Sequence, residues 1–273
     1  FGGLLALSAG LSLGREGPSV QIGSYIGTLV SRWGHILKGE RKQLLAAGAG
    51  AGLSAAFAAP LSSSLLVIES IERFDAPKTA ITTLLAGVVA GGVASWMFPT
   101  TPYHLINAVS PGLCFWRQAE LYILFAAVAK FYSLIVPFFQ RWLPTLKLSV
   151  YTKMLYLLIA AYAISLTETN LTGGGEQFLM MQGMDGTHDI RWLGVMILIH
   201  FVFTLLSLSS GLPGGSFIPT LVTGGLLGQL FGLVLVQRGV IGYENVSYMM
   251  LVGMVAFLVA VVRTPLTAIV LIP

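Results

Sequence analysis

Gly17-Pro18-Ser19-Val20-Gln21-Ile22-Gly23-Ser24-Tyr25-Ile26-Gly27 and Ile218-Pro219-Thr220-Leu221-Val222-Thr223-Gly224-Gly225-Leu226-Leu227-Gly228 follow one pattern. The proline and both of the shared glycines coincide at an offset of 201 residues. Further on, Gly48…Pro60-Leu61-Ser62 matches Gly253…Pro265-Leu266-Thr267 at an offset of 205. In each half a Gly/Pro-rich break opens a short helix, and a second Pro-headed helix follows about forty residues later. Paired, interrupted apolar segments point to a site near the middle of a bilayer. The reason is the helix N-terminus, where backbone N–H groups lack partners and aligned dipoles leave about +0.5 charge. Two such ends facing each other hold an anion without a lysine in the membrane. The plainer reading is that Gly and Pro are simply commoner in membrane helices.

The rest of the chain sets this pattern in lipid. Of 273 residues, 55% are hydrophobic and 10% charged, with a mean hydropathy of +0.83. Soluble domains carry about 25% charged residues. The chain cannot supply a polar skin, which excludes a cytosolic enzyme and an ordinary nucleic-acid-binding domain. Its apolar runs are long and do not alternate, so the expected class is an all-α, polytopic membrane protein with the lipid bilayer as its surroundings. Three runs reach spanning length: Ala76–Phe98, Ala119–Phe139 and Leu193–Leu208, the last borrowing flanking residues. Met154–Leu166 needs tilt or continuation past Tyr151. Phe1–Leu13, Pro18–Val30, Leu44–Leu53, Leu61–Ile71, Pro219–Val236, Tyr248–Val262 and Pro265–Ile272 read as runs cut by Gly or Pro.

The net charge of +4 is expected to set orientation. Arg32, Lys38, Arg41 and Lys42, then Arg73 and Lys78, then Arg141, Lys147 and Lys153 fall on the cytoplasmic side. The Thr100–Phe115 loop has no Lys or Arg, and Thr167–Asp189 carries only acidic charges. Phe1 and an end inside an apolar run suggest an internal fragment of a single transmembrane domain, residues 1–273. The one cysteine, Cys114, permits no internal disulfide.

The two breaks differ in chemistry. In Gly14-Arg15-Glu16-Gly17-Pro18, two ionisable residues stand between apolar runs, where charge is costly and usually functional. Glu16 precedes Pro18 at a helix start, so its carboxylate can sit where an anion otherwise sits. Protonation would let it leave and couple anion passage to pH. The competing reading is a carboxylate that caps the helix and pairs with Arg15. The second break, Gly211-Leu212-Pro213-Gly214-Gly215-Ser216-Phe217-Ile218-Pro219, has no charge. Its glycines let the backbone approach a ligand, with the N–H groups of Ser216, Phe217 and Ile218 pointing at it. Phe217 stands at the repeat position of Glu16; the competing reading is a bare glycine hinge.

Gly14-Arg15-Glu16-Gly17-Pro18 and Gly215-Ser216-Phe217-Ile218-Pro219 resemble the two signature motifs of the CLC chloride channel and transporter family, GREGP and GxFxP. Ala47–Glu69, Leu171–Gly175 and Leu205–Gly215 also look alike to bacterial members. The resemblance implies a CLC-type inverted repeat of broken and tilted helices, about 1–98 closing the first repeat and about 118–273 forming most of the second. It implies transport of chloride or similar monovalent anions, as chloride/proton antiport, by a multi-pass homodimer in a bacterial plasma membrane. Each subunit would hold one anion pathway. No enzyme activity, metal or cofactor is implied, and chloride and protons are the substrates. Glu16 would be the gating glutamate, with the amides of Ser216 and Phe217 on the central anion and those of Ile218 and Gly17 beside them. The family's GSGIP-type serine motif and its anion-coordinating tyrosine are not in residues 1–273, so transport by this fragment alone is not expected. Many exchangers carry a second, inner glutamate directly after the position of Glu69, and here that position holds Ser70. Glu69 or Glu72 would serve as the inner proton relay, or the protein is a passive channel.

Other polar residues read more plainly. His200 has no metal-ligand partner at ligand spacing and suits packing. An intramembrane serine hydrolase using Ser216 or Ser62–Ser64 lacks a nearby base. Leu171-Thr172-Gly173-Gly174-Gly175 lacks the lysine of a phosphate loop.

Overall fold

A computed structural model describes residues 2–35, 40–72, 77–98, 115–146, 149–185 and 189–271. Lys38, Arg73, Lys147 and the 100–114 part of the Lys/Arg-free loop, used above for orientation, lie outside them. Among the described residues the regular structure is helical throughout: α1 (Gly2–Ser8), α2 (Glu16–Trp33), α3 (Arg41–Phe57), α4 (Pro60–Val67), α5 (Pro77–Met97), α6 (Phe115–Trp142), α7 (Val150–Thr167), α8 (Glu176–Asp185), α9 (Ile190–Ser209), α10 (Phe217–Gln237), α11 (Val246–Phe257) and α12 (Pro265–Leu271). Five segments are long and apolar enough to cross a membrane: Pro77–Met97, Tyr122–Trp142, Ile190–Ser209, Phe217–Gln237 and Tyr243–Val262. The run at Met154 does continue past Tyr151, to Val150.

Two of the five differ from expectation. Pro219–Val236 reads as interrupted in sequence, yet α10 runs unbroken through Gly224, Gly225, Gly228 and Gly232. Tyr248–Val262 likewise extends back to Tyr243 and ends in a π-helical turn, Leu258–Val262. The reason is packing. A Cβ on Gly224 would lie 2.6 Å from the Gly253 carbonyl oxygen, and one on Gly228 would lie 2.3 Å from that of Met249. These glycines let two backbones meet, so they support the helix they were expected to break.

The chain divides into two compact units, Phe1–Gly14 with His104–Val262, and Arg15–Tyr103 with Arg263–Pro273. Each is assembled from two separate stretches of the sequence. The first is built on α10 and α11, flanked by α6, α8 and α9. Asp189 caps α9 by accepting from the Arg191 and Trp192 N–H groups at 2.9 and 3.4 Å. The second is built on α2, α3 and α5, with α4 and α12 packed on each other. Its α2–α3 seam repeats the α10–α11 seam residue for residue. A Cβ on Gly23 would lie 2.0 Å from the Gly48 carbonyl oxygen, and one on Gly27 would lie 2.1 Å from that of Leu44. Gly23, Gly27, Leu44 and Gly48 are the repeat equivalents of Gly224, Gly228, Met249 and Gly253.

The repeat also fixes where helices start. α2 and α10 begin at equivalent residues, as do α3 and α11, and α4 and α12. α4 and α12 each open on proline, whose missing N–H costs nothing there. Each is preceded by a non-glycine residue in the left-handed region, Ala58 at φ 52° and Arg263 at φ 64°, and these two are equivalent as well. The sequence pattern of Gly and Pro thus corresponds to one backbone course used twice.

Candidate functional site

Gly14 and Gly215, the first residues of the two motifs, are bonded to each other. The Gly14 N–H donates to the Gly215 carbonyl at 2.7 Å, and the Gly215 N–H returns to the Gly14 carbonyl at 2.9 Å, as an isolated antiparallel bridge. Both belong to the first unit. The segment leading into Gly14 is anchored on α9. There the Ser12 N–H donates to Ser207 Oγ at 3.2 Å, and the Ser12 and Thr204 hydroxyls lie 2.6 Å apart. On the other strand Gly214 is pressed against Leu13, where a Cβ would lie 2.7 Å from the leucine's own.

Two residues after Gly215, α10 begins at buried Phe217. The first ladder bond of the helix runs from the Thr220 N–H to the Ser216 carbonyl at 3.0 Å. The amides of Ser216, Phe217 and Ile218 therefore stand ahead of the ladder, and the Ser216 side chain itself makes no cap bond. Pro219 takes the place of a further donor. This is a helix N-terminus furnished with backbone amides and without charge, suited to a monovalent anion. The glycine-rich loop 171–175 lies against it. Gly173 donates to the Gly10 carbonyl at 2.8 Å, and a Cβ on Gly174 would lie 2.7 Å from Ile218 Cγ2. Gly175, at φ 77°, leaves room for the His200 ring, whose Cε1 would be 2.7 Å from a Cβ there. His200 is buried, and its ring and Val222 both border Gly175, a packing position. Tyr132 of α6 reaches the first turn of α10 through its hydroxyl, 3.3 Å from Thr220 Oγ1.

The first motif opens α2 in the second unit. Arg15 is its N-cap, Glu16 its first residue, and the first ladder bond runs from the Ser19 N–H to the Arg15 carbonyl at 3.2 Å. Glu16 and Phe217 thus hold the same place in equivalent helix starts, as the repeat alignment predicts. Glu16 is 6% exposed, which places a carboxylate in the protein interior. Arg15 is exposed, and its guanidinium carbon lies 5.6 Å from the centre of the Phe57 ring. Gly17, the further amide expected near the anion, is the second residue of α2 and follows Glu16 directly.

At the far end of α4 the chain widens into a π-helical turn, Ile68–Glu72. Glu69 there has a role that sequence reading missed. Its Oε1 accepts from the Leu266 N–H at 3.0 Å, and its Oε2 accepts from the Thr267 N–H at 3.0 Å and the Thr267 hydroxyl at 2.8 Å. The carboxylate caps the first turn of α12. The available signal was the Pro265-Leu266-Thr267 helix start, but its partner lies almost 200 residues away. Ser70, at the inner-glutamate position, gives its hydroxyl to the Leu66 carbonyl of its own helix. The side chain of Glu72 lies outside the described residues. Ser64 donates to the carbonyls of Pro60 and Thr83 at 2.7 and 3.3 Å, so its hydroxyl ties α4 to α5.

A model of the family described as "Voltage gated chloride channel" matches residues 1–273. The H(+)/Cl(-) exchange transporter ClcA of Salmonella arizonae is 33% identical over 286 residues, covering 100% of this chain and 59% of the relative. That of Citrobacter koseri is 33% identical over 285 residues, with 99% and 59% covered. The chain therefore spans about three fifths of the length of these curated relatives. A crystal structure of a slow cyanobacterial Cl-/H+ antiporter superposes with a TM-score of 0.79 at 25% identity, over 98% of this chain and 64% of that one. A CLC-type fluoride/proton antiporter gives 0.76 at 18% identity, over 95% and 64%, a likeness of fold.

Proposed function

Since this chain belongs to the voltage-gated chloride channel family of integral membrane proteins, we propose that it is part of a chloride transporter. In this reading chloride, or a similar monovalent anion, is held by the amides of Ser216, Phe217 and Ile218, with Gly17 beside them, and Glu16 is the gate. The observation that carries it is the reciprocal bond between Gly14 and Gly215. It ties the two motifs together at their first residues. The chain continues from one side into Arg15-Glu16 and from the other into Ser216-Phe217. A carboxylate and an anion compete for the same positive helix end, because only one negative charge can be stabilised there at a time. Charged, Glu16 blocks; protonated, it yields the place and carries a proton, which gives exchange. The ClcA relatives and the cyanobacterial antiporter, by their names, exchange chloride for protons. The chain reads as one transmembrane domain, with about 1–98 as the end of the first repeat and about 118–273 as most of the second, in a homodimer with one pathway per subunit.

The test is flux from the full-length protein in liposomes. Glu16→Ala is expected to raise chloride flux and abolish the proton movement that accompanies it. Chloride flux equal to the unaltered protein's would end the reading. A second reading, a passive channel, is favoured by one observation. Glu69 is engaged as a cap, and Ser70 stands where a second carboxylate would pass protons. A reversal potential that ignores a pH gradient would establish the channel over the exchanger.

A further inference from the structure

Packing accounts for the ring of His200 and leaves its two nitrogens without a purpose. The side chain is 1% exposed, and neither Nδ1 nor Nε2 is within hydrogen-bond geometry of a partner. The rest of α9 from Leu193 to Phe203 is apolar. A phenylalanine fills such a place without the desolvation cost of unpaired nitrogens, so an imidazole there calls for a partner. The ring stands at the first turn of α10. A Cβ on Gly175 would lie 2.7 Å from His200 Cε1, 3.0 Å from Nδ1 and 3.0 Å from Val222 Cγ1, so ring and Val222 border one point. The backbone group that the ring approaches belongs to Pro219. Proline has no N–H, so that group is the carbonyl, an acceptor. It already receives the Thr223 hydroxyl at 2.7 Å.

We propose that His200 is a positioning residue for the anion, acting on the tip of α10 through the Pro219 carbonyl. Each backbone carbonyl shares a peptide unit with the N–H of the next residue. The Pro219 carbonyl is thereby joined to the Thr220 N–H, which donates to the Ser216 carbonyl at 3.0 Å. The Ser216 carbonyl is joined in turn to the Phe217 N–H, one of the three amides ahead of the ladder. The chain of bonds runs from the imidazole N–H through the 219–220 peptide and the 216–217 peptide to the anion. A donor on a carbonyl polarises its peptide unit and strengthens the N–H at the other end, and a low-dielectric interior passes that gain along successive bonds. The direction is fixed. Electron density shifts toward the imidazole, and the Phe217 N–H becomes a better donor to a negative charge. The coupling is reciprocal: an anion on Phe217 makes the Pro219 oxygen a stronger acceptor and draws the ring into the bond. The Thr223 hydroxyl acts on the same carbonyl in the same sense. The inference rests on the reading that chloride is held at this tip, and adds what sets the strength of the hold.

The test is calorimetric titration of chloride into the full-length protein in detergent, with a melting curve of each variant in chloride-free buffer as the check on folding. His200→Phe keeps a ring and removes the donor. His200→Gln and His200→Asn keep an N–H near the places of Nε2 and Nδ1. His200→Phe is expected to bind chloride about threefold more weakly, the scale of one modest hydrogen bond, with at least one of the two amides holding the affinity of the unaltered protein. Thr223→Val removes the other donor from the same carbonyl and is expected to weaken binding by about twofold. Unchanged affinity in His200→Phe overturns the inference. So does equal weakening by Phe, Gln and Asn, which would make the shape of the ring the whole requirement. Where His200→Phe does not fold, Thr223→Val decides, and unchanged affinity there overturns it as well. Phe217→Glu separates this inference from the reading beneath it. Chloride affinity that survives a carboxylate at the tip removes both, whereas affinity lost in Phe217→Glu and unchanged in His200→Phe removes the positioning role alone.

Discussion

At Glu16 a helix start carries a buried carboxylate, and at Phe217 the equivalent start carries an aromatic ring. Three features around the two points are alike: a bridging glycine two residues before, a proline two residues after, and a glycine seam to the next helix. The difference teaches where structure and function separate in this chain. Backbone contacts require glycine in both halves, because a carbonyl stands where a side chain would begin. The residue at the tip is released from that demand and differs between the halves.

The comparison breaks most severely at the seams. Gly23→Val places a Cβ 2.0 Å from the Gly48 carbonyl oxygen, and Gly224→Val places one 2.6 Å from that of Gly253. Overpacking usually costs ~1–3 kcal/mol, and more where neither side is a movable side chain. Both variants are expected to lose folded protein, read as monodisperse yield and melting temperature in detergent. Gly92→Ala, with nothing within 4 Å of its Cβ, is expected to be silent. A well-folded Gly23→Val alongside a collapsed Gly224→Val would show that the two seams are not equivalent.

At the tips the effect is on function. Glu16→Ala should raise anion flux by about tenfold or more, the factor that ~1.4 kcal/mol removed from a barrier gives. Phe217→Ala, at the equivalent position, should leave proton coupling in place. Phe217→Glu sharpens the contrast, since a second carboxylate at the uncharged tip should suppress flux. Flux unaffected by Phe217→Glu would mean the anion does not use that helix end.

Much of this was legible in the sequence because it lies in spacing. The offset of 201 predicted that Glu16 and Phe217 open equivalent helices, and the structure has them there. Two kinds of feature were not legible. Glycines in α10 read as interruptions, because a helix-breaking propensity and a close-packing role use the same residue, and only the neighbouring backbone distinguishes them. The Glu69 cap on α12 joins residues 197 and 198 positions apart, and no periodicity carries a contact of that range. The loop 171–175, dismissed as a phosphate loop, proves to pack on Ile218 and His200. Its glycines answer to close approach, as those of the seams do.

Glu69 offers a smaller test. Glu69→Gln keeps the shape, removes the charge, and leaves the Leu266 and Thr267 N–H groups with one carbonyl oxygen in place of a carboxylate. A lost or weakened cap costs about 0.5–2 kcal/mol, so a lowered melting temperature is expected with proton coupling unchanged. Lost coupling at an unchanged melting temperature would instead make Glu69 the inner relay. That result would favour the exchanger over the channel.

The mildest comparison is between Ala58 and Arg263, which turn the chain into α4 and α12 from the left-handed region. That conformation costs an L-residue roughly 1–2 kcal/mol, because Cβ meets the following carbonyl. Glycine escapes the clash but adds freedom to the unfolded chain, worth about 0.5–1 kcal/mol in the opposite direction. Ala58→Gly and Arg263→Gly should therefore each stabilise by a few tenths of a kcal/mol to ~1 kcal/mol, seen as a small rise in melting temperature. Ala58→Gly removes only a methyl group, so it reports the backbone alone. Arg263→Gly also removes a charge, and any difference between the two measures what that side chain contributes. A fall in both would mean that the paired left-handed turns are not strained, and that the repeat retains them for some reason other than the start of a proline-headed helix.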